Sequence, residues 1–263
     1  MWSSSDKKLN TILRFIGADT MMSVEQFISI INTRSFLTFE SEKQVVSFFD
    51  DYINTFFLNS LNVDVENIRY YTGIAFNGVN AILREIWNYD RNGILTEDKR
   101  KECIKLSDDL SEALSKVPNC LPTNIKSYRG VGLSSFKTYG INSIRELKNM
   151  IGQYYYESGF MSTSLLRERS FFNRELEWHD SCNIEIEYYI PQECNDGLPL
   201  ITSELSYSKV QSEFLINKGS LSKIIDVDIS EDETKAYIKA ILVPKKIWDL
   251  SYAKQQMETQ RSK

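Results

Sequence analysis

The feature that most constrains the fold is a change of hydrophobic period at Val117-Pro118-Asn119-Cys120-Leu121-Pro122. Before it, apolar residues recur every three or four positions, which lines them along one face of a helix. From Glu97 to Lys116, the residues Cys103, Leu106, Leu110, Ala113 and Leu114 follow this repeat, and a run from Tyr71 to about Tyr89 aligns Phe76, Val79, Ile82 and Leu83. Ser23 with Gln26 and Ser41 with Gln44 have the spacing of a capping box, in which side chain and backbone satisfy each other's orphan groups at a helix start. Pro118 and Pro122 then end the helical pattern.

Beyond Pro122 the period is two. Strands are expected over Ile125–Val131, Gly159–Ser164, Asn183–Ile190, Glu213–Asn217, Ile224–Ile229 and Ala236–Val243. One helix, opened by Ser143 with Glu146, interrupts them, and Pro191 to Gln211 reads as a long loop. Helices first and strands second predict an α+β fold, with the helices packed on an antiparallel or mixed sheet pair.

With 263 residues, 42% of them hydrophobic, the chain can bury a core, and a disordered protein is excluded. Its 31 basic and 36 acidic side chains leave no basic surplus for a nucleic-acid backbone. Cys103, Cys120, Cys182 and Cys194 are widely spaced and there is one histidine, so neither a zinc site nor a disulfide framework is indicated. The start, Met1-Trp2-Ser3-Ser4-Ser5-Asp6, lacks the pattern of a secretory signal, and no apolar run is long enough to span a bilayer. These features predict a soluble chain made without such a signal or cut from a larger precursor.

A single histidine leaves few parts for hydrolytic chemistry. His179, in Glu177-Trp178-His179-Asp180, reads more naturally as a surface residue than as a catalyst. Neither GxxxxGK[ST] nor GxGxxG follows a strand, which removes the main support for P-loop and Rossmann readings. What remains are polar motifs at strand ends. Tyr128-Arg129-Gly130 places an arginine in an apolar strand beside a residue that lets another chain or ligand approach the backbone. Ser162-Thr163-Ser164 ends one strand, and Gln211-Ser212-Glu213 begins another. Strand alternation would put Gln211 and Glu213 over one site. Each motif alone reads more readily as solvated polar residues.

Their order carries more. An Arg-Gly strand, then Gly-x-x-Ser-Thr-Ser, then Gln-x-Glu resembles the ADP-ribosyltransferases of bacterial toxins, above all the Rho-modifying clostridial exoenzymes. Upstream, Tyr71-Thr72-Gly73, Asn80 and Leu83-Arg84 resemble the helix of that family whose arginine contacts NAD phosphate. Downstream, Glu213 to Ser220 resembles the strand and turn after its catalytic glutamate. The resemblance runs from roughly Val65 to Val243. It implies the ADP-ribosyltransferase fold, two packed and mainly antiparallel sheets, over residues 61–263. Residues 1–60 would form an N-terminal helical extension or cap.

Carried over to this sequence, it implies that Glu213 is the catalytic carboxylate, held by Ser162, and that Gln211 faces the acceptor. Arg129 and Arg84 would bind the NAD pyrophosphate, with Asn80, Tyr71 and Gly130 also in the NAD site. Thr163 and Ser164 would shape the nicotinamide pocket. Arg167, Arg169 and Phe172 are placed to close over the phosphates, Arg167 being slightly favoured, although either arginine would serve equally as a solvated charge. Tyr207 either presents an aromatic to the protein substrate or packs its own loop. In this family a glutamine two residues before the glutamate accompanies transfer to asparagine of Rho-type GTPases, a carboxamide being complementary to another carboxamide. The function implied is that of a toxin or effector, monomeric and free of metal, modifying a host protein such as a small GTPase in the host cytoplasm. An arginine- or actin-directed transferase and a non-enzymatic NAD-binding adaptor are the alternatives.

Overall fold

The structure, a computed structural model, describes residues 23–85, 89–90, 93–94, 96–172, 183–206 and 212–248. Among the described residues five α-helices precede the main sheet: α1 (Val24–Ile31), α2 (Glu42–Asn59), α3 (Asn62–Tyr70), α4 (Phe76–Leu83) and α5 (Glu97–Leu114). The Ser23 hydroxyl accepts from the Gln26 N–H at 3.2 Å and the Gln26 carboxamide accepts from the Ser23 N–H at 2.9 Å, closing the expected box. Ser41 caps α2 in the same way, but the Gln44 carboxamide accepts from Glu40 instead.

Helices α3 and α4 are one rod broken by a π turn at Tyr71–Ala75. The expected helix from Tyr71 to about Tyr89 stops at Leu83, because Arg84 caps it and Glu85 turns left-handed at φ 56°. A two-residue hairpin of β1 (Tyr89–Asp90) and β2 (Gly93–Ile94) follows. The element expected at Ser143 is a 3-10 turn, Arg145–Met150, and Glu146 accepts from the N–H of Asn142 rather than Ser143.

The main sheet contains β3 (Ile125–Val131), β4 (Tyr154–Glu157), β5 (Met161–Ser164), β6 (Ile184–Ile190), β7 (Gly197–Leu200), β8 (Glu213–Ile216), β9 (Ser220–Ile229) and β10 (Ala236–Val243). Its order is β4-β9-β10-β6-β3-β5-β8-β7, antiparallel throughout except where β10 runs parallel to β6. β3 pairs with β6 along its length but meets β5 only at Tyr128↔Ser164. The two sheets expected are thus two portions of one hydrogen-bonded array, joined at a single point. The join creates the cleft described below.

One core unites α2 to α5 with the sheet through Phe49, Phe56, Ile68, Leu110, Leu114, Phe160, Tyr188 and Phe214. α2 is tied directly to the β7–β8 end of the sheet: the Tyr52 hydroxyl donates to the Gly197 carbonyl at 3.0 Å, and Phe49 stacks near Phe214. A second cluster packs α1, through Val24, Phe27, Ile28 and Ile31, against Tyr154, Leu221, Ile241, Val243 and Trp248.

Candidate active site

Because β3 and β5 share one pair, they splay apart beyond it. The cleft between them is lined by Tyr128, Arg129, Ser162, Thr163 and Ser164 and covered by Arg169, Ser170 and Phe171. Its volume is about 10 Å³, close to the space one water needs.

Glu213 is the first residue of β8, lies opposite Ser164, and is almost fully buried. Burial pushes its carboxyl above the usual range, while a hydrogen bond from Ser162 and the charge of Arg129 act in the opposite direction. The preceding residue, Ser212, is left-handed at φ 43°, and its carbonyl accepts from Leu165. A non-glycine residue in that region is strained by about 1–2 kcal/mol. The strand itself begins at Glu213, immediately after this residue. Gln211, Tyr207 and His179 lie outside the described residues.

Arg129 is mostly buried, and its Nη1 has no hydrogen-bond partner among the described residues. An unsatisfied guanidinium nitrogen in a closed cleft suits an oxyanion. Its Nη2 lies 3.6 Å from Glu157, whose carboxylate is also gripped by Arg84, through Nε at 2.9 Å and Nη2 at 3.2 Å. The Gly159 N–H donates to Glu157 as well, at 3.0 Å. Burial opposes ionisation of Glu157, but Arg84, then Arg129, and these hydrogen bonds outweigh it and hold the carboxyl below its ordinary value. The sequence reading did not single out Glu157. In Tyr154-Tyr155-Tyr156-Glu157 nothing marks it as other than a strand-end charge.

Asn80 couples the helix rod to the cleft: its amide donates to the Tyr71 hydroxyl at 2.8 Å and its carbonyl accepts from the Phe160 N–H at 2.8 Å. Tyr71 is buried edge-on to Phe160, and burial and nearby Glu213 push its phenol up. Gly130 has a steric role, since a Cβ there would sit 2.2 Å from the backbone nitrogen of Phe172. The close approach expected at this glycine is therefore made by the segment that covers the cleft.

The remaining candidates each have a partner within the fold. Thr163 donates to the Phe214 carbonyl at 2.9 Å, and the Ser164 hydroxyl donates to the Leu166 carbonyl at 2.7 Å. Arg167 is more than half exposed and pairs with Glu185 at 2.6 Å, whereas Arg169 pairs with Glu42 at 3.2 Å. Both arginines anchor the covering segment, one to β6 and the other to α2. Among the described residues no group of three His, Cys, Asp or Glu side chains could hold a metal ion.

The described fold agrees with the comparisons to known proteins. The ADP-ribosyltransferase exoenzyme family model matches residues 49–245. The chain belongs to the ADP-ribosyltransferase exoenzyme family, and its activity is NAD-dependent transfer of ADP-ribose. Among solved structures it resembles C3stau2 from S. aureus with NAD, at 19% identity and a TM-score of 0.62, covering 81% of this chain and 100% of that one. It also resembles the Clostridium limosum C3 exoenzyme, at 22% identity and a TM-score of 0.61, covering 80% and 98%. A third is the ADP-ribosylating toxin BECa of a C. perfringens binary enterotoxin, at 20% identity and a TM-score of 0.60, covering 80% of this chain and 50% of that one. No curated protein matches the chain by sequence.

Proposed function

We propose that this transferase is a mono-ADP-ribosylating toxin or effector that modifies an uncharged side chain, asparagine of a Rho-type GTPase, on a host protein in the host cytoplasm. Glu213 is its catalytic carboxylate. The observation that carries the reading is the buried Glu213, hydrogen-bonded by Ser162 and under the charge of Arg129, whose Nη1 has no partner among the described residues. Nicotinamide departs from a ring nitrogen that already bears positive charge, so no general acid is required, unlike ordinary glycoside cleavage with its two carboxylates. Glu213 holds the nicotinamide-ribose hydroxyl and stabilises positive charge at the anomeric carbon, where a preorganised carboxylate in a dry site is effective.

In this reading Arg129 and Arg84 take the pyrophosphate, with Asn80 and Tyr71 fixing the helix that carries Arg84. Gly130 admits the covering segment of Arg167, Arg169 and Phe172 close to β3, and the Thr163 and Ser164 backbone forms one wall. Gln211 faces the acceptor and Tyr207 the protein substrate. Gln211 also favours the asparagine acceptor over arginine, since its carboxamide cannot help deprotonate a guanidinium. The transferase body begins with α2, whose aromatic side chains share the core of β7 and β8, rather than at residue 61; the segment before α2 is the addition.

The test is incubation with tagged NAD and purified Rho-type GTPase or actin, followed by mass spectrometry of the labelled site. Label on a GTPase asparagine that Glu213→Gln abolishes is the expected result. Label on an arginine or on actin overturns the acceptor, and equal labelling by Glu213→Gln overturns the site.

A further inference from the structure

Arg84 and Arg129 come from different elements, the end of α4 and the middle of β3, and both face one carboxylate at the end of the edge strand β4. Two guanidinium groups this close repel each other, and neither backbone fixes a long, flexible side chain. Glu157 supplies what is missing. It is 6% exposed, and one of its oxygens is fixed by the Gly159 N–H as well as by Arg84 Nε. Gly159 is itself closely surrounded: a Cβ there would lie 2.7 Å from the Asn80 side-chain oxygen and 3.2 Å from Arg84 Nε. The turn after β4 is thus fitted against the end of α4, and the carboxylate inherits that rigidity.

The same grip sets which atoms are left for a ligand. Glu157 occupies Nε and Nη2 of Arg84 and faces Nη2 of Arg129, while Arg129 Nη1 has no partner among the described residues. Arg129 is also attracted by two acids, Glu157, 3.6 Å from its Nη2, and Glu213. Without the first, its charge would be drawn to the second and away from a phosphate.

We infer that Glu157 is a positioning residue for the transferase reaction, clasping Arg84 and Arg129 as a preorganised pair that receives the NAD pyrophosphate. The inference rests on the assignment of these two arginines to the pyrophosphate. It separates cleanly from simple electrostatics. Removing a negative charge beside two arginines should by itself tighten binding of an anion, whereas losing the clasp should weaken it.

The experiment measures equilibrium binding of NAD, ADP-ribose and nicotinamide to the full chain and to its Glu157→Gln and Glu157→Asp variants. Near-ultraviolet circular dichroism verifies the fold of each. For Glu157→Gln, NAD and ADP-ribose should bind about tenfold more weakly, the scale of one lost charge-assisted hydrogen bond. Nicotinamide, which lacks phosphate, should bind as it does to the parent. Glu157→Asp keeps the charge and the fold but has too short a reach for both guanidinium groups, so the same pattern is expected at smaller size. Unchanged or tighter ADP-ribose binding in a folded variant overturns the inference. So does an equal loss of nicotinamide binding, which would make Glu157 a general support of the cleft. If the parent itself binds neither NAD nor ADP-ribose, the pyrophosphate assignment of Arg84 and Arg129 is what fails.

Discussion

At the scale of single residues, the site is governed by two buried carboxylates with opposite behaviour. Burial dominates at Glu213 and raises its carboxyl, whereas Arg84 and Arg129 prevail at Glu157 and lower it. The protonated form of Glu213 cannot stabilise positive charge, so activity should fall as pH drops through its raised value. Its acid limb should therefore lie above the ordinary glutamate range. The Ser162 hydroxyl bonds the ionised form, and Ser162→Ala should move that limb to still higher pH. The pH profile of NAD hydrolysis reads this directly, and a limb unmoved by Ser162→Ala would detach Ser162 from Glu213. Stability follows the same signs. Ionising Glu213 costs folding free energy as pH rises above its unfolded value, while the contribution of Glu157 is present above its unfolded value and is lost on acidification.

At the scale of elements, Gly130 decides how the covering segment lies on β3. Any Cβ would collide with backbone at Phe171 and Phe172, not with the end of a flexible side chain. Gly130→Ala should therefore lower stability by about 1–3 kcal/mol, the usual range for overpacking, as read from a urea midpoint. An unchanged midpoint would show that the segment lifts at no cost, its Arg167–Glu185 and Arg169–Glu42 pairs being dispensable. These elements also show what the sequence made legible. β3, β6, β8 and β10 were visible because their apolar residues alternate or run continuously, and the α1 start because its capping residues are local. β7 was hidden in an expected loop: Gly197-Leu198-Pro199-Leu200 carries two breakers, tolerated because the strand lies at a sheet edge. β4 was hidden because its tyrosines show no alternation of polarity. The left-handed Ser212 and the clasp at Glu157 depend on contacts between distant segments, for which sequence spacing gives no sign.

For the whole molecule, the question is which part of the helical half the transferase sheet requires. The family match starts at residue 49, inside α2, and α2 places Val45, Phe49, Tyr52, Ile53 and Phe56 in the main core with almost no exposure. Burying each such side chain contributes about 1.5–3 kcal/mol, so together they rival the roughly 5–15 kcal/mol by which domains are stable. α1 differs, because it covers a separate cluster on the sheet around Tyr154, Leu221, Ile241 and Val243. Cutting the chain at two places therefore gives two outcomes. A chain beginning at residue 61 should lack a cooperative thermal transition, since the apolar face of β7 and β8 has no cover. One beginning at residue 33 should keep the transition and NAD hydrolysis but melt at lower temperature, with Trp248 newly exposed and its fluorescence shifted to the red. Differential scanning calorimetry with tryptophan emission checks both. A cooperative transition at the parental temperature in the 61–263 chain would show that α2 is an appendage and that the sheet and the remaining helices suffice as a core.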